Sequence, residues 1–191
     1  MGNEDRYFEL VRQASENVSK YIKKRIEQNG DDRWGEYEAT WKALLFHELI
    51  LIDEKVKNYL SMENPADTED QDTKRKKFDV WIQDSEININ YVMEVKLTYF
   101  EEPKKESWIK MRNAESGVYA DLLKINTYLK SEKNNDIKGI SIAANLTKGI
   151  DVNQIVDNVD DDTKKLLRGD LRLMICSDGK CAYVTANKES K

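Results

Sequence analysis

Along residues 4–28 the apolar positions Tyr7, Leu10, Val11, Ala14, Val18, Tyr21 and Ile22 recur at steps of three and four, the spacing of one helix face. An amphipathic helix is predicted there, closed by Asn29-Gly30, with Lys20, Lys23, Lys24 and Arg25 on its outer side. A second helix is predicted over residues 34–60, with Trp41, Leu44, Leu45, Ile52, Val56 and Leu60 inward. Its stretch from Leu44 to Ile52 is apolar nearly all round, so it is expected to be covered on more than one side. Residues 61–76 hold Pro65, many charges and no large aliphatic beyond Met62, and read as a loop.

The pattern then changes period. Residues 77–83 and 87–98 alternate in the manner of strands and are joined by Asp84-Ser85-Glu86, which predicts a hairpin. A polar segment with Pro103 follows, then a helix over residues 118–131, a strand over 139–145 and a helix over 152–167 with a break at 160–162. Strands are predicted at 171–176 and 181–185. Helices alternating with strands give an α/β chain: a small mixed central β-sheet flanked by helices.

At 191 residues the chain is read as a single domain, with an N-terminal helix in 1–33, a core in 34–145 and a C-terminal helix and hairpin in 146–191. Only 2 Pro and 8 Gly among 35% charged residues exclude collagen-like and low-complexity classes. A net charge of −5 excludes a uniformly basic nucleic-acid coat but not local basic patches. No apolar run approaches the roughly 20 residues of a membrane span, and the acidic start MGNEDRYFEL lacks the layout of a secretory signal. A cytoplasmic protein without membrane contact is therefore expected, and in a reducing compartment Cys176 and Cys181, flanking a turn, are expected as two ordinary thiols.

Chemistry concentrates in residues 77–98, KFDVWIQDSEININYVMEVKLT. Alternation puts Phe78, Val80 and Ile82 on one face of the first strand, and Tyr91, Met93, Val95 and Leu97 on one face of the second. The remaining face collects Asp79, Glu94 and Lys96. Two acids and a lysine amid strand-forming hydrophobes cost stability unless they are paired or bind an ion. A hard divalent cation relieves the repulsion of two close carboxylates, and an ammonium beside it can act on an attacking water or on phosphate charge.

Asp79, 14 intervening residues and then Glu94-Val95-Lys96, preceded by a helix bearing a Glu, resembles the PD-(D/E)XK nuclease superfamily. The residue before Asp79 is Phe78 where the motif has Pro. The resemblance spans residues 34–145 and implies a restriction-endonuclease-like core. It implies that Asp79, Glu94 and the Val95 carbonyl hold Mg2+, for which Mn2+ can substitute, that Lys96 acts on the water or the phosphate, and that a helix carboxylate contacts the metal. Glu48, which interrupts an apolar run 31 residues before Asp79, is placed ahead of Glu38 for that role. His47 beside it reads as a packing residue before a catalytic one.

In the segment YADLLKINTY, Lys124 is a candidate for a phosphate contact and equally a solvated helix-face lysine. Lys74, Arg75, Lys76 and Lys77, directly before the Asp79 strand, form the strongest nucleic-acid-binding candidate. Trp108 and Tyr99 are weaker candidates for base stacking. The expectation is a Mg2+-dependent endonuclease of restriction, defence or phage type that acts on DNA, as a homodimer where both strands are cut. The alternative keeps the fold without hydrolysis, as a nucleic-acid-binding or protein-interaction module.

Overall fold

The computed structural model describes residues 3–29, 34–65, 77–84, 89–100, 102, 104–112, 117–131 and 137–184. Helix α1 spans Asn3–Asn29 and α2 spans Trp34–Ile52. A short 3-10 turn, Glu54–Asn58, leads into strand β1, Leu60–Pro65. Strands β2, Lys77–Asp84, and β3, Ile89–Thr98, are followed by helices α3, Lys105–Arg112, and α4, Val118–Ser131. Strand β4, Ile137–Asn145, precedes helices α5, Val152–Asn158, and α6, Asp161–Leu166. The hairpin of β5, Leu171–Ser177, and β6, Lys180–Tyr183, closes the described chain.

The six strands form one mixed sheet in chain order. Strands β1, β2 and β3 form an antiparallel meander, β3, β4 and β5 run parallel, and β6 returns antiparallel. Each parallel step needs a crossover, which α4 supplies between β3 and β4, and α5 with α6 between β4 and β5. Because strand side chains alternate, the sheet feeds two cores. Tyr91, Met93, Ile140 and Ile142 pack beneath Val11 and Val18 of α1 and Trp41 and Leu45 of α2. Val92, Ala143, Leu173 and Ile175 pack on the other side with Leu122 and Ile125 of α4 and Ile155 of α5. The predicted mixed sheet flanked by helices is thus present.

Three expectations are corrected. The second helix stops at Ile52 rather than continuing to 60, because the Asp53 carboxylate accepts the Lys55 amide at 3.1 Å and caps the 3-10 turn instead. Residues 61–65, assigned to a loop, join Leu60 in an edge strand paired through backbone hydrogen bonds that a sparse apolar pattern does not advertise. Cys176 and Cys181 stand directly across the β5–β6 hairpin and are joined as a disulfide, not held as free thiols. Helix α3 lies in a segment where no element was predicted, and its Trp108 is fully buried, the indole N–H donating to Asp160 Oδ2 at 2.7 Å. That placement removes Trp108 as a stacking surface. Among the described residues no helix is long and apolar enough to cross a membrane.

The contact between β4 and α4 depends on Gly139. A Cβ built there would lie 2.2 Å from Ile125 Cγ2 and 3.1 Å from Leu171 Cδ1, both side chains fully buried. Gly139→Ala is expected to lower the denaturant midpoint by an amount equivalent to about 1–3 kcal/mol, the usual cost of overpacking. An unchanged midpoint in chemical denaturation would contradict this packing.

Candidate functional site

Regular pairing between β2 and β3 runs from Asp84↔Ile89 to Val80↔Met93 and goes no further. One step beyond lie Asp79 and Glu94, which do not pair in the ladder, although the Asp79 charge acts on Glu94. The Asp79 carboxylate takes over a position in the ladder, Oδ2 accepting the Val95 amide at 2.8 Å. Pairing on the other side of β2 is interrupted at the same level: Met62↔Val80 and Asn64↔Phe78 are partners, while the intervening Glu63 has a φ of 51°.

The interruption also breaks the alternation. Phe78 does not share the face of Val80 and Ile82 as predicted. It packs in the opposite core, 5.0 Å from the Tyr128 ring and 6.0 Å from Trp81. With Asp79 displaced from the regular pleat, the sheet opens here, and residues from α2 and α4 reach the same strands.

Charged groups fill the opening. Lys42 of α2 pairs with Asp79 Oδ1 at 2.9 Å and with Glu38 Oε1 at 3.0 Å. Lys96 lies 3.4 Å from Glu38 Oε2. Lys124 of α4 pairs with Glu94 Oε1 and donates to the Lys77 carbonyl, its ammonium 5.0 Å from the Phe78 ring centre. Asp121, one helical turn before Lys124, feels the charges of Lys96, Lys124, Asp79 and Glu38. Glu38, Asp79, Glu94 and Asp121 thus face Lys42, Lys96 and Lys124, four acids against three lysines.

The electrostatics of these groups differ. Glu94 is only 6% exposed, and burial, with the Asp79 charge adding to it, pushes its carboxyl from 4.5 up to about 8 despite the opposing Lys124. Burial likewise lifts Asp121 from 3.8 to about 6, with Lys96 and Lys124 pulling the other way. For Glu38 burial acts upward too, but the hydrogen bond and charge of Lys42, with help from Lys96, outweigh it and hold the group below its ordinary value. Burial would lower Lys42, yet its bonds to Asp79 and Glu38 leave it raised.

The structure therefore brings Asp79, Glu94 and Val95 together, along with Lys124 and the Lys77 main chain, and joins Lys96 to Asp79 through Glu38 and Lys42. It does not bring Glu48. That residue accepts a hydrogen bond from Asn17 at 2.8 Å and ties α2 to α1, whereas the rival Glu38 stands beside Lys96. Three turns of helix separate the two glutamates, so both cannot reach the same point. His47 is exposed on α2 and takes no part in the network. Lys74, Arg75 and Lys76 lie outside the described residues. Lys42 and Asp121 were missed. Each had a usable signal: Asp121 its three-residue spacing from Lys124, and Lys42 its four-residue spacing from the candidate Glu38, each pair on one helix face.

Among the described residues no group of three or more His, Cys, Asp and Glu side chains is placed to hold a metal ion. Of the four acids, Asp79 and Glu94 form the pair on neighbouring strands, with Asp79 Oδ1 taken by Lys42, Oδ2 by the Val95 amide and Glu94 Oε1 by Lys124. A donor set of that kind suits Mg2+, which is commonly held by one or two carboxylates, keeps several waters and takes further oxygens from a phosphate. Comparison with protein-family models, with curated proteins and with solved structures finds no match for this chain.

Proposed function

We propose that this protein is a Mg2+-dependent nuclease that hydrolyses DNA phosphodiester bonds. The observation that carries the reading is the approach of Asp79 to Glu94 and Val95 just past the last β2–β3 pair, with Lys96 joined to Asp79 through Glu38 and Lys42, and with Glu94 held uncharged by burial and by the Asp79 charge. The order from α2 through β2, β3 and α4 to β4 supports it, because a helix, a hairpin, a helix and a strand are the core that the resemblance implies.

In this reading Asp79 and Glu94, with the Val95 carbonyl, hold the ion. Bound Mg2+ supplies Lewis acidity toward the phosphate and lowers the pKa of a coordinated water. Lys96, kept in place by Glu38, donates to a non-bridging phosphate oxygen or orients the attacking water. Lys42 and Lys124 neutralise the carboxylates before substrate arrives and then face its phosphates. Overall, hydroxyl adds to phosphorus, the P–O bond to the leaving sugar breaks, and the water's second proton ends on the leaving oxygen. Cutting both strands calls for two sites, which a homodimer would bring.

One observation favours a second reading. Asp79 and Glu94 are each already paired with a lysine, a self-neutralised arrangement that also suits a nucleic-acid-binding module without hydrolysis. Incubation with supercoiled, linear and single-stranded DNA and with RNA, in Mg2+, Mn2+ or EDTA, separates the two. The nuclease reading expects DNA cleavage that EDTA abolishes. Retention of DNA without cutting would favour the module, and neither cutting nor retention would overturn both.

A further inference from the structure

Beside the charged opening lies a groove of about 580 Å³ whose walls come from three elements. Glu38 and Lys42 of α2 form one side, Met62 and Glu63 of β1 a second, and Leu97 with Tyr99, at the end of β3, a third. We propose that this groove seats one unpaired base of single-stranded DNA, with the Tyr99 ring as its stacking platform. The inference rests on the nuclease reading for where the neighbouring phosphate lies.

Continuity is the first argument. Glu38 and Lys42 line the groove and also belong to the ion network, 3.4 Å from Lys96 and 2.9 Å from Asp79 respectively. A chain with a phosphate at Asp79 and Lys96 therefore places its adjoining unit in the groove. The volume falls within the usual range of sites for small organic groups.

The lining decides which part of that unit enters. Tyr99 is 44% exposed and Met62 39%, an aromatic ring and a soft thioether that offer apolar surface. Glu38 and Glu63 outnumber Lys42 among the charged walls, which disfavours a phosphate there. A base has two apolar faces for the ring and an edge of amino groups for which carboxylates are acceptors. In a duplex those faces are stacked and the amino edges paired, so only an unpaired or extruded base fits this description.

The test measures binding rather than cutting. A short oligodeoxynucleotide carrying 2-aminopurine, as a single strand and as a blunt duplex, is titrated with Mg2+ present into protein carrying Lys96→Ala, alone and combined with Tyr99→Leu or Tyr99→Phe. The single strand is expected to bind at least about tenfold tighter than the duplex, with quenched 2-aminopurine fluorescence. Tyr99→Leu is expected to weaken it about tenfold while Tyr99→Phe keeps it, in line with the usual worth of one stacked base. Equal affinity for duplex, unchanged affinity in Tyr99→Leu, or no binding of either DNA would overturn the groove assignment. Loss of binding in Tyr99→Leu, in a protein that otherwise never cuts DNA, would leave the groove standing and remove hydrolysis. Cutting that persists with affinity unaltered by Tyr99→Leu would do the reverse.

Discussion

Replacing Lys96 with Ala is expected to lower the rate of DNA cleavage by roughly a hundred- to a thousandfold, the usual loss when one charged donor is removed from a developing oxyanion. The fold should survive. Lys96 is part-exposed, its ammonium meets Glu38 at the surface of the opening, and neither core needs its side chain. Asp79→Asn should cost at least as much, for two reasons. It removes one of the two carboxylates assigned to the ion, and it leaves Lys42 paired with Glu38 alone. Asn can still accept the Val95 amide through its carbonyl, so the strand geometry is kept while the charge is lost. Initial rates on supercoiled DNA, with circular dichroism confirming the fold of both variants, check this. Full activity in Lys96→Ala would remove it from the chemistry.

A second large effect is expected in the pH dependence of stability. The folded-state value of Glu94 lies above its ordinary 4.5, at about 8, so the folded protein holds that proton more tightly than the unfolded chain does. The stabilisation this provides is complete below about pH 4.5 and is lost as pH rises toward 8. Asp121 acts in the same direction over the lower window from 3.8 to about 6. In EDTA the melting temperature should therefore fall between pH 6 and pH 8.5, and Glu94→Gln, which cannot ionise, should flatten most of that fall. Because a cation competes with the proton for the same oxygens, Mg2+ should raise the melting temperature more at pH 8.5 than at pH 6. A wild-type protein equally stable at both pH values, or one whose slope survives in Glu94→Gln, would show that Glu94 is not strained in this way.

Much of the fold was legible because long periodic segments leave little choice. Tyr7 to Ile22 carry a clear helix face, and residues 118–131 and 139–145 read as a helix and a buried strand, the strand starting two residues earlier at Ile137. Strand β1 escaped notice because LSMENP has few apolar residues and lies at the sheet edge, where pairing is a backbone matter. Helix α3 was hidden in KESWIKMR, whose helical pattern is short and whose Trp is buried by elements distant in sequence.

The candidate site divides in the same way. Asp79, Glu94 and Lys96 could be singled out from two strand-like runs and a hairpin, although the two-residue period that put them on one face fails at Asp79, where Phe78 and Val80 pack in opposite cores. The choice between Glu38 and Glu48 could not. An apolar run singled out Glu48, but within that run Leu45 and Leu49 pack into the core with Leu44 against it while Leu51 and Ile52 are exposed, and the helix end nearest the opening carries Glu38. The pairing of Lys42 with Glu38 is local, four residues apart on α2, but its contact with Asp79 is legible only once α2 is docked over β2.

Calorimetric titration of Mg2+ into wild-type protein and into Asp79→Asn at pH 8, in the absence of DNA, most directly tests whether these side chains form a cation site. Saturable binding to the wild type that is lost in Asp79→Asn, and likewise in Glu94→Gln, is the predicted result. Mg2+ binding of the same strength in all three proteins, or none in the wild type even with an uncleavable phosphorothioate oligonucleotide added to complete the coordination, would contradict it.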